Sequence, residues 1–201
     1  MKRSVIVFII PFLLVAFLSI QVKGQPAGDV NWNAELWNLQ KNGMVVLGSW
    51  AAGNLLVSGY QMTQTSRKTY HFHQMNVFWN VVNAGIAVSG YLGAMNGATD
   101  LTGVELLSEY NSFSKILLFN TGLDVAYVMT GFYLKERSKS SAKHPKRLAG
   151  YGNSLLLQGG FLFLFDLALV IINEQSINEM LGSENFQMAF TPGMIQLRYS
   201  F

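Results

Sequence analysis

The 201-residue chain has no cysteine, which removes several chemistries at once. Disulfides, thiolate metal ligands and the lipidated cysteine of a lipoprotein are all excluded. Charge is also scarce: 12% of the residues are Asp, Glu, Lys or Arg, while 50% are hydrophobic. GxxxxGK[ST], HExxH, GxSxG and GxGxxG sequences are missing. The common signatures of NTP binding, zinc proteolysis, serine hydrolysis and dinucleotide binding are therefore absent. No cluster of Lys and Arg interleaved with aromatic residues lies outside one loop, so nucleic acid is not an expected partner.

What the chain does have is hydrophobic residues gathered into five long blocks, the pattern of a membrane protein. The first block differs from the rest. Lys2 and Arg3 precede an apolar run over residues 5–20, and Val22-Lys23-Gly24-Gln25 offers small residues where a signal peptidase reads. Residues 1–24 are expected to be a secretory signal peptide, with an uncleaved first helix as the alternative. Cleavage after Gly24 would leave eleven basic residues of fourteen, against eleven acidic ones. The formal charge of +3 thus belongs to the leader.

The other four blocks approach the ~20 residues that cross a bilayer. They predict helices over roughly residues 44–62, 73–95, 113–134 and 154–172. The expected fold class is an all-α membrane protein, a four-helix transmembrane bundle at 44–173. An interfacial or periplasmic segment at 25–43 precedes it, and a periplasmic tail at 174–201 follows. In the segment before the bundle, Asp29 or Asn31 is placed to cap a stretch holding Trp32, Leu36, Trp37 and Leu39. The alternative is that the first helix simply begins early.

The loops carry opposite charge. Arg67 and Lys68 follow the first span, and Lys135, Arg137, Lys139, Lys143, Lys146 and Arg147 follow the third. Asp100, Glu105 and Glu109 lie between the second and third, and Glu174, Glu179 and Glu184 follow the fourth. Positive loops stay in the cytoplasm, so both mature termini are expected in the periplasm of an inner-membrane protein. The lipid bilayer is the expected partner, with a second membrane protein or a second copy as a further one. The basic loop suits anionic headgroups.

Each span carries polar residues on a stripe. The second shows His73, Asn76, Asn80, Asn83, Ala87, Gly90, Ala94 and Gly97, alternating three and four apart, the seam of a helix packed against helices. The first has Asn54, Ser58 and Gln61. The third has Asn120, Asp124 and Tyr127, and the fourth has Gly152, Gly159, Asp166 and Asn173. Asp124 and Asp166 are the sharpest of these. A carboxylate at the centre of a membrane helix costs ~2.5–3.5 kcal/mol, so it faces a partner or a cavity. No Lys or Arg lies in the spans except Lys115 near the end of the third. At least one of the two acids is expected to hold a proton at neutral pH.

Asp124, Asp166, His73, Asn76, Asn80, Asn83, Asn54 and Asn120 are thus the candidates for a ligand or proton site. The bland alternative is that they bond helix to helix, at ~0.6–2 kcal/mol per bond. Catalytic and metal-binding residues are not assigned. His71 and His73 are two apart and do not share a helix face, and a second intramembrane histidine for haem is missing. No cofactor follows from the sequence. Phe165-Asp166 and Gly122-Leu123-Asp124 distantly resemble the aspartate motifs of presenilin-type proteases. Phe165 and Leu123 stand where that family has Tyr and Gly, the order is reversed, and four spans are too few.

The chain ends with a different pattern. Ile195, Leu197, Tyr199 and Phe201 alternate with Gln196, Arg198 and Ser200, after a turn signal at Thr191-Pro192-Gly193. A single extended tail segment is expected there. Finally, Gly48-Ser49-Trp50-Ala51-Ala52-Gly53-Asn54 and Phe72-His73-Gln74-Met75-Asn76-x2-Trp79-Asn80-x2-Asn83 resemble an uncharacterised family of small bacterial membrane proteins with an N-terminal signal. The resemblance covers most of the chain after residue 30. It implies a four-helix membrane domain and supplies no activity. Two functions fit the residues: a bundle whose polar interior binds a small ligand or ion, with proton exchange, or an accessory subunit that pairs through its polar seam.

Overall fold

The computed structural model describes residues 30–183 and the backbone of 186–191 and 194–199. The expected signal peptide and Asp29 lie outside the described residues. Four helices pack together: α1 (Trp32–Gln64), α2 (Arg67–Met95), α3 (Gly103–Ser140) and α4 (Pro145–Ser183). Two strands follow, β1 (Phe186–Thr191) and β2 (Met194–Tyr199).

Every helix outruns the span read from the sequence. α1 starts early because Asn31 caps it, accepting from the Ala34 N–H at 3.0 Å. Trp32, Leu36, Trp37 and Leu39 are therefore its first turns rather than a separate interfacial stretch, and Leu36 and Leu39 are buried. The basic loop shrinks to residues 141–144. Lys135, Arg137 and Lys139 ride on the last turns of α3, where cations suit the helix dipole. Pro145 opens α4, a position where its missing N–H costs nothing. α4 continues past Asn173 because Ser176, Ile177 and Met180 keep its inner face buried.

α2, α3 and α4 up to Gly182 are long and apolar enough to cross a membrane. α1 matches them in length at 33 residues but not in hydropathy. Asn54, Ser58, Gln61 and its glycines dilute it. Inside, polar residues sit among an apolar core that includes Leu36, Trp50, Tyr110, Phe161, Phe165 and Leu169. Leu56 (76%), Phe119 (70%) and Met129 (62%) are exposed, while Asn76, Asn80, Gln158 and Asn173 are sealed. Large apolar side chains on the outer surface suit lipid as the surrounding solvent, and the spans imply contact with a bilayer.

α4 is the central helix. Half of its most apolar stretch is buried, against 22% for α2 and 17% for α3. It packs broadly on α3 and on α2, and α1 packs on α2. α2 and α3 make no extended contact with each other. Small residues set the close approaches, as expected where lipid leaves little hydrophobic force between helices. A Cβ at Gly152 would lie 2.7 Å from the Gly131 carbonyl oxygen, so α3 and α4 touch backbone to backbone there. Gly90 leaves room for Met44, and Gly97 for the Trp37 indole. The expected α2 seam is indeed the inner face: His73, Asn76, Asn80, Asn83, Ala87 and Ala94 are all buried.

Gly150 lies against Lys68 and His71, so the starts of α2 and α4 share one end of the bundle. The two basic loops therefore sit together. At the opposite end Trp37 Nε1 donates to the Ala98 carbonyl at 2.8 Å, and Asn33 Nδ2 donates to that of Leu101 at 2.7 Å.

The tail corrects an expectation. β1 and β2 pair antiparallel, with Phe186, Met188 and Phe190 opposite Tyr199, Leu197 and Ile195. The period-two pattern thus has a partner, an antiparallel strand, where a single extended segment was expected.

Candidate functional site

The polar residues of the interior separate into a hydrogen-bonded network, in which Asn80 Oδ1 alone is left without a partner, and a cavity. The network centres on Asn76. Its Oδ1 accepts from Ser154 Oγ at 2.5 Å and from Gln158 Nε2 at 3.1 Å. Its Nδ2 donates to Ser58 Oγ at 3.3 Å, and His73 Nδ1 meets the same hydroxyl at 3.1 Å. Gln158 Oε1 accepts from Trp50 Nε1 at 2.9 Å. Asn54 donates to the Trp50 carbonyl at 2.9 Å, and its Oδ1 lies 3.5 Å from Gln158 Nε2. Asn80 Nδ2 donates to the Asn76 carbonyl at 2.8 Å. Bonds from α1, α2 and α4 thus meet at one point. Trp50 also stacks on Phe161 with ring centroids 3.9 Å apart.

A smaller knot ties α3 to α4. Asn173 Nδ2 donates to the Tyr110 carbonyl at 3.0 Å and to Ser114 Oγ at 2.7 Å. Ser114 in turn donates to Glu174 at 2.7 Å.

The cavity lies where α2 and α3 part over α4. Its volume is about 140 Å³. Asp124 and Asp166 line it, with Asn83, Asn120, Trp79 and Tyr127. The Trp79 and Tyr127 rings meet edge to face, 4.7 Å apart, at the boundary between α2 and α3. Three polar atoms here find no N–H, O–H or acceptor of their own: Asn83 Nδ2, Trp79 Nε1 and Asp124 Oδ2. Asn83 and Asp124 are each only 3% exposed. The Asp166 carboxyl lines the same cavity as the Asp124 carboxyl. Two oxygens bond only if one carries a proton, so an Asp124–Asp166 bond requires a proton on the pair.

Of the sequence candidates, the structure brings Asp124, Asp166, Asn83 and Asn120 together. His73, Asn76, Asn80 and Asn54 belong to the network instead, away from the cavity lining. The seven-residue repeat of Gly152, Gly159, Asp166 and Asn173 does mark one face of α4. Gly152 and Gly159 lie against α3, and Asn173 bonds to it. Sequence reading missed Gln158 and Ser154, which form the second polar face of α4. Their spacing of four residues in an apolar run was the available signal. Trp79 was also missed, because an indole at this depth reads as bulk until its N–H proves unpaired.

Neither a curated protein nor a solved structure matches the chain. A family model does match, over residues 46–167, and its description is a family of unknown function, DUF6992. The match spans more than half of the chain, and the protein belongs to that family. The matched region includes both the network and the cavity.

Proposed function

We propose that this DUF6992 member is an inner-membrane bundle that binds a small ligand in the cavity between α2, α3 and α4, with Asp124 and Asp166 exchanging a proton. One observation carries the reading. Buried polar groups are normally paired, and an unpaired one calls for an explanation. Unpaired oxygens of Asn33, Asn80 and Asn173 lie apart from one another, whereas two orphaned donors and a carboxyl pair line the same cavity. No cation lies among the lining residues, so two carboxylates side by side would repel at close range in a poorly screened medium. A shared proton relieves that repulsion, and binding can release or take it up.

The accessory-subunit alternative needs the polar seam on an outer face. His73, Asn76, Asn80 and Asn83 are turned inward onto the chain's own helices, which supports the ligand reading. For the placement in the membrane we adopt a cleaved signal, α1 as a fourth span, and both basic loops in the cytoplasm. The absence of cysteine allows single-cysteine labelling to check the loops one by one.

Asp124→Asn and Asp166→Asn test the site. Purified protein in lipid nanodiscs is expected to show a protonated-carboxyl infrared band at neutral pH that either variant removes. Native mass spectrometry is expected to find a small molecule on the wild type and none on the variants, with folding kept. Unfolding of both variants, with nothing bound to the wild type, would make the acids helix glue and end the proposal.

A further inference from the structure

The cavity opens sideways. Of its lining residues, Val82, Ile86 and Leu123 are the exposed ones, and all three are apolar. They flank the gap between α2 and α3, which make no extended contact. Leu162, Phe165 and Asp166 of α4 form the floor. At a rise of 1.5 Å per residue, the lining lies roughly 14–36 Å from the ends of α2, α3 and α4. Half the hydrocarbon thickness is ~15 Å, so a lining near the middle of these three spans puts the opening beside acyl chains rather than water.

The unpaired atoms narrow the chemistry of what enters. Asn83 Nδ2 and Trp79 Nε1 are both donors and need an acceptor oxygen. An anion would bring that oxygen, but next to two carboxyl groups it adds like charge at low dielectric. A bare cation would satisfy the carboxyls and leave both donors unpaired, facing positive charge. Among the described residues no three His, Cys, Asp or Glu side chains converge as a metal ion would require. A neutral oxygen-bearing group suits all of these atoms. The volume of about 140 Å³ sets its size. A cavity of ~150 Å³ holds benzene, so only the head of a longer molecule fits inside.

We infer that the cavity takes the head of a neutral, bilayer-dissolved molecule bearing a carbonyl or hydroxyl oxygen. The molecule enters from the lipid between α2 and α3, its oxygen accepts from Asn83 and Trp79, and its apolar tail leaves past Val82, Ile86 and Leu123. This rests on the cavity being a binding site, as proposed above, and adds the ligand class and the route.

The full chain in liposomes is labelled with a photoactivatable long-chain alcohol that carries a diazirine near its hydroxyl. The matched diazirine alkane is the control, and labelled residues are mapped by mass spectrometry. The alcohol is expected to mark Leu162, Val82 and Leu123 about tenfold over the alkane, the ratio two hydrogen bonds at membrane depth would give. Excess unlabelled alcohol is expected to compete. Asn83→Leu and, separately, Trp79→Phe are expected to remove most of the enrichment and leave alkane labelling of the outer surface unchanged. Equal labelling by alcohol and alkane would overturn the inference. If labelling is equal but sodium ions shield Leu162 from the alkane, and Asp124→Asn abolishes the shielding, the site stands and the lipid-borne ligand falls. If nothing enriches and nothing shields, both fall.

Discussion

At Asn76 each polar atom of the side chain is engaged: Oδ1 accepts from Ser154 and Gln158, and Nδ2 donates to Ser58. At Asn83, two turns along the same stripe of α2, Nδ2 has no partner and faces a cavity. Residue type, helix and buried fraction are the same. What differs is the neighbouring helix. Beside Asn76, α4 presents Ser154 and Gln158 and closes the gap. Beside Asn83, α3 stands away from α2, and α4 offers Asp166 at the bottom of a void. Asn80 and Asn173 also leave one oxygen open, so an open atom alone does not make a site; what sets Asn83 apart is that its open donor lines a cavity shared with Trp79, Asp124 and Asp166.

The largest test of that contrast is Asn76→Leu. It leaves Ser154, Gln158 and Ser58, all buried, each short of a partner. Each buried unpaired group costs ~1–3 kcal/mol, although bonds inside membrane proteins run weaker, so a loss on the order of 2–4 kcal/mol is expected. Reversible unfolding in bicelles would measure it. A change under about 0.5 kcal/mol would mean the network is not holding α1, α2 and α4 together. Asn173→Leu comes next. Only one nitrogen is engaged there, on the Tyr110 carbonyl and Ser114 Oγ, so about 1–2 kcal/mol is expected by the same assay. Its loss should loosen α3 from α4 and leave the Asn76 network intact.

Much of this was legible in the sequence. Four helices, the inner face of α2 and the α3-facing stripe of α4 follow from spacing alone, because packing imposes a period that residue type reports. Asp124 and Asp166 announced themselves by cost. Spacing could not separate Asn76 from Asn83, because both lie on the one seam. Their difference comes from what the neighbouring helices present: Ser58, Ser154 and Gln158 reach Asn76, and no acceptor reaches Asn83 Nδ2. Helix ends were missed for a related reason. Hydropathy locates the part of a helix that lipid would see, whereas Asn31 capping and buried Met180 extend it by local and tertiary bonds.

The smallest expected stability effect is the most telling one. Asn83→Leu removes a buried amide whose Nδ2 bonds to nothing in the protein. Taking away an unpaired donor relieves a desolvation cost and forfeits no protein bond through that nitrogen, so stability should stay within ~0.5 kcal/mol or rise. Leu keeps the branched shape of Asn, the cavity has room for its greater bulk, and its neighbours Leu47, Val82 and Ile86 are already apolar. With the donor that faces the cavity gone, ligand capture should fall while the fold is kept. A destabilisation as large as that of Asn76→Leu, measured in the same bicelles, would show that Asn83 is structural after all and erase the line between the two regions.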